Sequence, residues 1–384
     1  MSSLNNSPLE IRAVRTTEQQ RQFIRLPWQL YRHDQNWVAP LLSQERERFD
    51  PKRNPFYQHA EVQLFLAYQA GQPVGRISAQ IDHDHNEFWD EQTAFFGFFE
   101  TLDDQVVGQA LLGAAADWGR AADMKALRGP FNFNTNGECG LLVEGFSRPP
   151  CVMMTYNPSY YPELLESAGF TKIKDLLAYR LQIDENFLAK NEKLVVRLRA
   201  LARRAERRGF KVRQINLHDF STEVTRLRQI YNAAWERNWG FVPMSEAEFL
   251  AQGKELKQIA IPELALIAEL DAEPVGFGLV IPDAYQALLP LRGRLFPWGI
   301  FRLLRGMRRV DGLRFITLGI KGGYRLRGVD ALIYSQLIEA TLALHRFRSC
   351  EFSWLLEDNE LIIRACKMVG SRLDKTYRIY EKKL

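Results

Sequence analysis

Two stretches of similar sequence decide the fold of this chain: VQLFLAYQAGQPVGRISAQI at Val62–Ile81 and ALIAELDAEPVGFGLVI at Ala265–Ile281. In each stretch, two apolar runs flank a short polar turn that closes with Pro-Val-Gly. Apolar runs separated by a turn of this composition are typical of a β-hairpin. The sequence therefore predicts the same hairpin twice, about 200 residues apart.

Other short sequence motifs recur outside the hairpins, also about 200 residues apart. When several different motifs recur at one constant distance along the chain, they indicate an internal repeat. The length of 384 residues also favours two or three domains. We therefore predict two related domains, residues 1–184 and 185–384. The recurring motifs are Asn36-Trp37 with Asn238-Trp239, Gly169 with Gly370, and Tyr179-Arg180-Leu181 with Tyr377-Arg378-Ile379.

The periodicity of apolar residues predicts one order of elements, β-α-β-β-β-α-β-α-β, in both copies. A strand at Ile11–Val14 and a helix at Glu18–Tyr31 open the first copy. A basic linker helix at Phe187–Arg208 precedes the second copy, which opens with Phe210–Ile215 and Phe220–Trp235. This order predicts an α/β (α+β) fold in which each domain has a mixed central sheet flanked by helices.

The composition is that of a soluble globular protein, with 46% hydrophobic and 25% charged residues. Neither a secretory signal in the polar Met1–Pro8 segment nor a membrane-spanning run is expected. Four cysteines without C-x-x-C spacing favour reduced thiols in a cytoplasm over a zinc site or a disulfide framework. We expect no metal, because the run Asp82-His83-Asp84-His85 is more typical of a solvated turn.

A glycine-containing turn stands before a predicted helix in the second copy. The strand Phe315–Ile320 leads into Lys321-Gly322-Gly323-Tyr324, and a helix begins at Gly328. Free backbone N–H groups and the positive end of the helix dipole make such a turn suitable for a pyrophosphate. A plain strand–helix turn is the alternative interpretation.

These residues resemble the acyl-CoA loop of the GNAT acyltransferase superfamily, which follows the fourth strand and reads R/Q-x-x-G-x-G/A. The second copy has Arg325-x-x-Gly328-x-Asp330 and departs from the pattern at the last position, whereas Gln105–Ala110 in the first copy fits throughout. The last helix of the family begins with an Asn and ends at a Gly, as Asn359 and Gly370 do. The resemblance covers most of the chain and implies acyl-CoA as the co-substrate.

The chain departs from the family at one functional position. In many members a Tyr in the last helix protonates the departing thiolate, whereas Cys366 and Leu165 stand at that place in the two copies. The usual acid is therefore missing. This departure favours a catalytically inactive GNAT-like binding scaffold as one alternative function.

The charges beside the two loops differ, and they predict which copy holds the acyl-CoA. Glu100, Asp103 and Asp104 precede the loop of the first copy and would repel a pyrophosphate. The loop of the second copy is basic, so we place the donor there. The predicted cofactor-binding residues are Leu318, Ile320, Lys321, Gly323, Arg325, Arg327, Gly328 and Asn359, with backbone N–H groups around Leu318–Ile320 polarising the thioester carbonyl.

A long stretch of the first copy, Gly129–Tyr161, has no counterpart in the second. Its amides, carboxylates and tyrosines suit a polar head group, although Asn-rich turns and packed tyrosines would explain them equally well. Glu144 and Glu138 are the predicted bases, with Glu357 in reserve, and Tyr156 would orient the acceptor or act as the acid. The stretch resembles bacterial tandem GNAT-like proteins related to bacterial ceramide synthases, which implies a long-chain amino alcohol as acceptor.

Two basic segments bear on partners. Lys193–Arg213 has no motif that reads nucleic acid, so no nucleic acid is expected there. Leu288–Val310 mixes arginines with Trp298, Phe301 and Leu304, which suits an anionic membrane interface or an acidic acyl carrier protein. An amphipathic helix packed on the second domain is the alternative.

The sequence thus predicts an N-acyltransferase that moves an acyl group from acyl-CoA or an acyl carrier protein to a primary amine. We expect it in the cytoplasm, with at most a peripheral contact at the inner face of the membrane. A Fem-type aminoacyl transferase, which takes aminoacyl-tRNA, is the second alternative and would bind tRNA with a steep salt dependence.

Overall fold

The computed structural model of the protein describes residues 7–236, 238–295 and 297–384. The chain forms two compact units. The first contains the residues up to Leu177 together with Leu288–Leu303 and Lys375–Leu384, and the second contains Ala178–Ala287 and Leu304–Asp374. A division at residue 184 alone would assign Leu288–Leu303 and Lys375–Leu384 to the second domain, whereas both segments belong to the first unit.

The first copy of the repeat has the predicted order of elements, with short helices and strands added between them. The predicted loop after Gly129 contains three short strands. The strands are β1 Leu9–Ala13, β2 Ala60–Gln69, β3 Gln72–Asp82, β4 Thr93–Thr101, β5 Ala126–Gly129, β6 Phe131–Asn132, β7 Glu138–Cys139, β8 Leu141–Glu144 and β9 Thr171–Gln182. The helices are α1 Thr17–Leu30, α2 Leu42–Arg48, α3 His83–Trp89, α4 Gln105–Ala121 and α5 Tyr161–Ser167.

The second copy repeats this order. The predicted linker helix is divided at Asn191, whose side-chain amide donates to the Phe187 carbonyl. The helices are α6 Phe187–Lys190, α7 Glu192–Arg207, α8 Phe220–Trp235, α9 Glu246–Lys257, α10 Tyr285–Leu288, α11 Gly299–Met307, α12 Val329–Ala343 and α13 Glu360–Met368. The strands are β10 Phe210–Gln214, β11 Ala265–Leu270, β12 Glu273–Pro282, β13 Gly312–Ile320, β14 Ser349–Leu356 and β15 Arg372–Lys383.

Each unit is built on a mixed sheet, which confirms the predicted fold class. In the first unit the sheet runs β1-β2-β3-β4-β5-β15, and only β4 and β5 are parallel. In the second unit it runs β14-β13-β12-β11-β10, and only β13 and β14 are parallel. A parallel pair needs a crossover connection, which α4 and α12 supply. Both predicted hairpins form, as β2–β3 and β11–β12.

The two parallel strands of each unit separate after a few residues. In the second unit the register runs from Gly312 opposite Ser349 to Phe315 opposite Phe352, although β13 continues to Ile320. In the first unit it runs from Thr93 opposite Ala126 to Phe95 opposite Arg128, although β4 continues to Thr101. Each sheet therefore has a gap between diverging parallel strands, followed by a helix N-terminus. Within the described part of the chain, no helix is both long and apolar enough to cross a bilayer.

Candidate functional site

The helix that follows the gap of the second unit begins with open backbone groups. Gly328 is the N-cap of α12, with φ of 88°, and no side chain caps the helix. The first turn of a helix has N–H groups without intrahelical partners, and the positive end of the dipole lies there. A Cβ built on Gly322 or Gly323 would meet nothing within 4 Å. The start of α12 therefore has no side-chain cap, and the turn before it leaves space around Gly322 and Gly323.

The basic side chains of this turn differ in how they are held. The Lys321 ammonium lies 3.0 Å from the exposed carboxylate of Glu273. The Arg325 guanidinium donates to the carbonyls of Ile320 and Ala234, so it braces the turn from within. Arg327 is exposed and lies 5.6 Å from the Tyr324 ring. Arg325 and Arg327 are both exposed, but the Arg327 guanidinium forms no hydrogen bond or ion pair with a described residue, a difference that the sequence did not indicate.

Backbone groups of β13 also face the gap. Beyond Phe315 this strand keeps its register with β12 but has no register with β14 among the described residues. In an antiparallel pair, alternate residues direct their N–H and C=O groups away from the partner strand. The register with β12 also shifts beside Ile316, which has no opposite residue. Residues 316–320, which include Leu318 and Ile320, therefore contribute alternating amide groups to the gap.

A tyrosine that sequence reasoning missed lies where β13 and β14 separate. Tyr334 on α12 is half-buried, and its ring centroid is 5.8 Å from that of Phe315. Burial raises the pKa of Tyr334 above its ordinary range, and the neighbouring Cys366 and Asp330 raise it further. The hydroxyl forms no hydrogen bond with a described residue. Tyr334 is therefore a neutral phenol with a proton to donate.

Cys366, which stands where the resemblance led us to look for a tyrosine, is buried on α13. Burial raises the pKa of its thiol to about 11, so the thiol is neutral at pH 7. The signal that could have pointed to Tyr334 was a phenol on the helix after the basic turn, combined with the absence of one on α13.

The corresponding gap in the first unit is filled by its own chain. A Cβ on Gly97 of β4 would lie 1.8 Å from the Phe131 carbonyl oxygen. The Phe98 N–H donates to Asn132 Oδ1 at 2.8 Å, and the Gln80 amide donates to the carbonyls of Phe131 and Phe133. Residues 131–133 therefore occupy the space between the diverging strands of the first unit.

The helix after this filled gap also differs from α12. Asp104 is the N-cap of α4, and its carboxylate accepts hydrogen bonds from Val106 N at 2.9 Å and Val107 N at 3.2 Å. The N–H groups that would hold an anion are thus satisfied by the protein's own anion.

The chain is similar over nearly its whole length to two bacterial proteins. It is 37% identical to Protein YghO of Escherichia coli over 94% of this chain and 92% of that protein. It is 35% identical to the bacterial ceramide synthase of Caulobacter vibrioides over 99% of this chain and 98% of that protein. The chain belongs to the tandem GNAT-like N-acyltransferase family. It is therefore an acyltransferase, although no protein-family model matches it.

Two solved structures of GNAT proteins have a similar fold. A tandem GNAT protein from the clavulanic acid biosynthesis pathway superposes with a TM-score of 0.57 at 13% identity, over 98% of both chains. A GCN5-related N-acetyltransferase from Sphaerobacter thermophilus superposes with a TM-score of 0.51 at 13% identity, over 98% of this chain and 97% of the other.

Glu138 and Glu144, the predicted bases for the amine acceptor, contact different residues. Glu138 lies 3.4 Å from the Arg48 guanidinium, which also pairs with the buried Glu45. Glu144 is exposed and accepts a hydrogen bond from the Thr376 hydroxyl at 2.8 Å. An ion pair ties Glu138 to the fold of the first unit, whereas Glu144 presents its carboxylate to solvent.

Tyr156, the third predicted residue, is a hydrogen-bond donor in the first unit. Its hydroxyl donates to Asp34 Oδ2 at 2.8 Å. Burial raises the pKa of Tyr156 above its ordinary range, and the Asp34 carboxylate raises it further. The phenol therefore stays neutral, and its proton is already engaged.

Two predicted residues between β14 and α13, Glu357 and Asn359, have different environments. Glu357 is half-buried directly after β14, in the same unit as α12. Asn359 is the N-cap of α13, and its side-chain oxygen accepts from Ile362 N at 3.4 Å. The carboxamide oxygen of Asn359 is thus used in helix capping.

Glu100, a half-buried carboxylate that the sequence placed beside the first loop, belongs to the first unit. Glu100 accepts hydrogen bonds from the hydroxyls of Tyr31 at 2.5 Å and Tyr161 at 2.9 Å. Arg76, which is buried, lies 3.8 Å away. Burial raises the pKa of Glu100 despite the opposing effect of Arg76. The described residues include no cluster of three or more metal-ligating side chains.

Proposed function

We propose that this acyltransferase binds acyl-CoA in its second unit and transfers the acyl group to the primary amine of a long-chain amino alcohol. The contrast between the units carries the proposal: the gap and the helix N-terminus are open in the second unit, whereas Asn132 and Asp104 close them in the first. The name of the relative from Caulobacter vibrioides, a bacterial ceramide synthase, favours a lipid amine as acceptor.

The pyrophosphate of the donor would sit on the turn from Gly322 to Gly328. Uncapped N–H groups of α12 and the positive end of its dipole would hold the phosphates. The exposed Arg327 would add a charge-assisted hydrogen bond from its guanidinium to a phosphate oxygen. The pantetheine arm would then run between β13 and β14, where the strands have separated.

The acyl transfer requires attack of a neutral amine on the thioester carbonyl. An N–H group from residues 316–320 of β13 would donate to the carbonyl oxygen and stabilise the oxyanion of the tetrahedral intermediate. The C–N bond forms, the C–S bond breaks, and the nitrogen loses one proton to a base. The products are an amide and free CoA thiol.

A base is needed because an alkylammonium has a pKa of roughly 10 and is not a nucleophile at neutral pH. We favour Glu357, which is half-buried and follows β14 in the unit that would hold the donor. Glu144 and Glu138 stay as candidates from the sequence. Of these two, Glu138 is the poorer base since Arg48 lies 3.4 Å from its carboxylate.

Tyr334 would protonate the departing thiolate. Its raised pKa keeps the phenol neutral, and its ring lies against Phe315, at the end of the β13–β14 register. The phenolate left behind would regain, through solvent, the proton that the base has taken from the amine. This role fills the place of the acid that neither Cys366 nor Leu165 supplies.

Amine-dependent release of thiol tests the proposal. Purified protein would be incubated with a long-chain acyl-CoA and a long-chain amino alcohol, or with the N-acetylated form of the same alcohol as control. We expect thiol and amide in a one-to-one ratio with the free amine and neither product with the control. Equal thiol release in both would indicate a thioesterase, and no release in either would favour a binding scaffold.

A further inference from the structure

One side of α11 exposes large apolar side chains to solvent. Trp298, just before the helix, is 69% exposed, and Phe301 and Leu304 are 63% and 58% exposed. Positions three residues apart lie near one another on a helix surface. Single exposed apolar residues are ordinary on a soluble protein, but a row that includes Trp and Phe marks a contact surface.

The other side of α11 is already packed. Gly299 is buried, and Ile300, Leu303 and Met307 are half-buried. A Cβ on Gly306 would lie 3.0 Å from the Ala287 Cβ, so the helix approaches α10 closely. The exposed apolar row is therefore not the face that holds the helix to the protein.

Arginines are interleaved with the exposed apolar row. Arg302, Arg305, Arg308 and Arg309 are all exposed, and the segment 299–310 contains no acidic residue. None of the four forms an ion pair with a described residue. The outer side of α11 and the residues next to its ends thus combine three exposed apolar side chains with four arginines that form no ion pair with a described residue.

We propose that this side of α11 docks on an anionic lipid bilayer, with the helix lying in the plane of the interface. Trp and Phe favour the interfacial region, where the ring is buried among the upper acyl chains. The arginine stems lie along the apolar layer while their guanidinium groups reach the lipid phosphates. A bilayer accepts this interleaved pattern, whereas an acidic protein surface would need its own apolar pockets between the carboxylates.

Vesicle sedimentation tests the proposal on the full-length protein without substrates. Vesicles of phosphatidylcholine with phosphatidylglycerol would be compared with vesicles of phosphatidylcholine alone. The variant R302Q/R305Q/R308Q removes two charges from α11 and one from the residue that follows it. The control R197Q/R203Q/R204Q removes the same number from exposed positions of α7. Each juxtamembrane arginine is worth roughly fivefold in affinity, so we expect a loss of about a hundredfold for the α11 variant and much less for the control.

A second variant separates charge from apolar contact. W298S/F301S/L304S keeps all the arginines, and we expect it to lose the part of the binding that persists at high salt. Equal thermal midpoints would show that both variants fold. The proposal is overturned if wild-type protein ignores phosphatidylglycerol or if the α7 control loses as much as the α11 variant. Binding to an acidic acyl carrier protein without vesicle binding would overturn it too. Because no turnover is measured, these outcomes are independent of the acyl-transfer proposal.

Discussion

If the uncapped α12 of the second unit binds CoA, a single substitution at Gly328 should weaken that binding. Gly328→Asp places a carboxylate at the N-terminus of α12, the position that Asp104 holds at α4. Gly328→Asn introduces a side chain of the same shape without the charge. The comparison of the two variants isolates the electrostatic part of pyrophosphate binding.

The magnitude follows from the geometry of the turn. Gly328 has φ of 88°, and a Cβ there would lie 3.2 Å from the Leu201 carbonyl oxygen. Either side chain therefore costs about 1–2 kcal/mol of backbone strain, which is common to both variants. A carboxylate about 4 Å from a phosphate charge adds about 1 kcal/mol of repulsion in bulk water and about 4 kcal/mol at the effective dielectric near a protein surface. We expect CoA affinity to be roughly tenfold to a thousandfold weaker in G328D than in G328N.

Titration calorimetry with CoA measures this difference, and thermal midpoints of the two variants show whether both are folded. G328N should keep measurable binding, and G328D should have lost most of it. Equal CoA affinities for the two variants would show that no pyrophosphate lies at the N-terminus of α12, and the assignment of the donor site would be wrong.

Three further outcomes follow from the same geometry. Asp104→Ala should lower the unfolding free energy by about 1 kcal/mol in a denaturant titration, because α4 loses its cap, and should leave CoA affinity unchanged; weaker CoA binding would contradict the account. Tyr334→Phe should slow thiol release about tenfold to a hundredfold at an unchanged thermal midpoint, whereas Cys366→Ala should keep the wild-type rate; similar rates for Y334F and wild type would exclude Tyr334 as the acid. Burial raises the pKa of Glu100 above its ordinary 4.5, so the folded state binds a proton that the unfolded state has released, and stability should fall as pH rises from 4.5 through the raised pKa. Glu100→Gln should abolish this fall in thermal midpoints between acidic and neutral pH, and an unchanged pH dependence would contradict the assignment.

Local patterns in the sequence were sufficient for most of the fold. Helix α8 spans Phe220–Trp235, the range that periodicity predicts, and both Pro-Val-Gly turns lie in hairpins. These elements could be predicted because apolar spacing and turn residues act within a few positions of each other. The place of β15 could not, since its pairing with β5 in the first unit joins residues that are far apart in the chain.

The candidate site was predictable in the second copy and less so in the first. The turn at Gly322–Gly328 has a local signature of glycine and positive charge before a helix. The filling of the first gap depends on hydrogen bonds from Phe98 and Gln80 to residues 131–133, which no spacing rule indicates. The sequence also grouped Glu100 with the acids beside the first loop, but its carboxylate accepts hydrogen bonds from Tyr31 and Tyr161 in the structure.

The position of a bound donor tests the central claim most directly. A crystal structure of the protein with a non-hydrolysable acyl-CoA thioether would locate both the pyrophosphate and the acyl group. We predict the pyrophosphate on the N–H groups at the start of α12, close to Arg327, and the thioether between β13 and β14 beside Tyr334. A pyrophosphate bound at the start of α4 in the first unit, or a thioether away from the β13–β14 gap, would contradict the account.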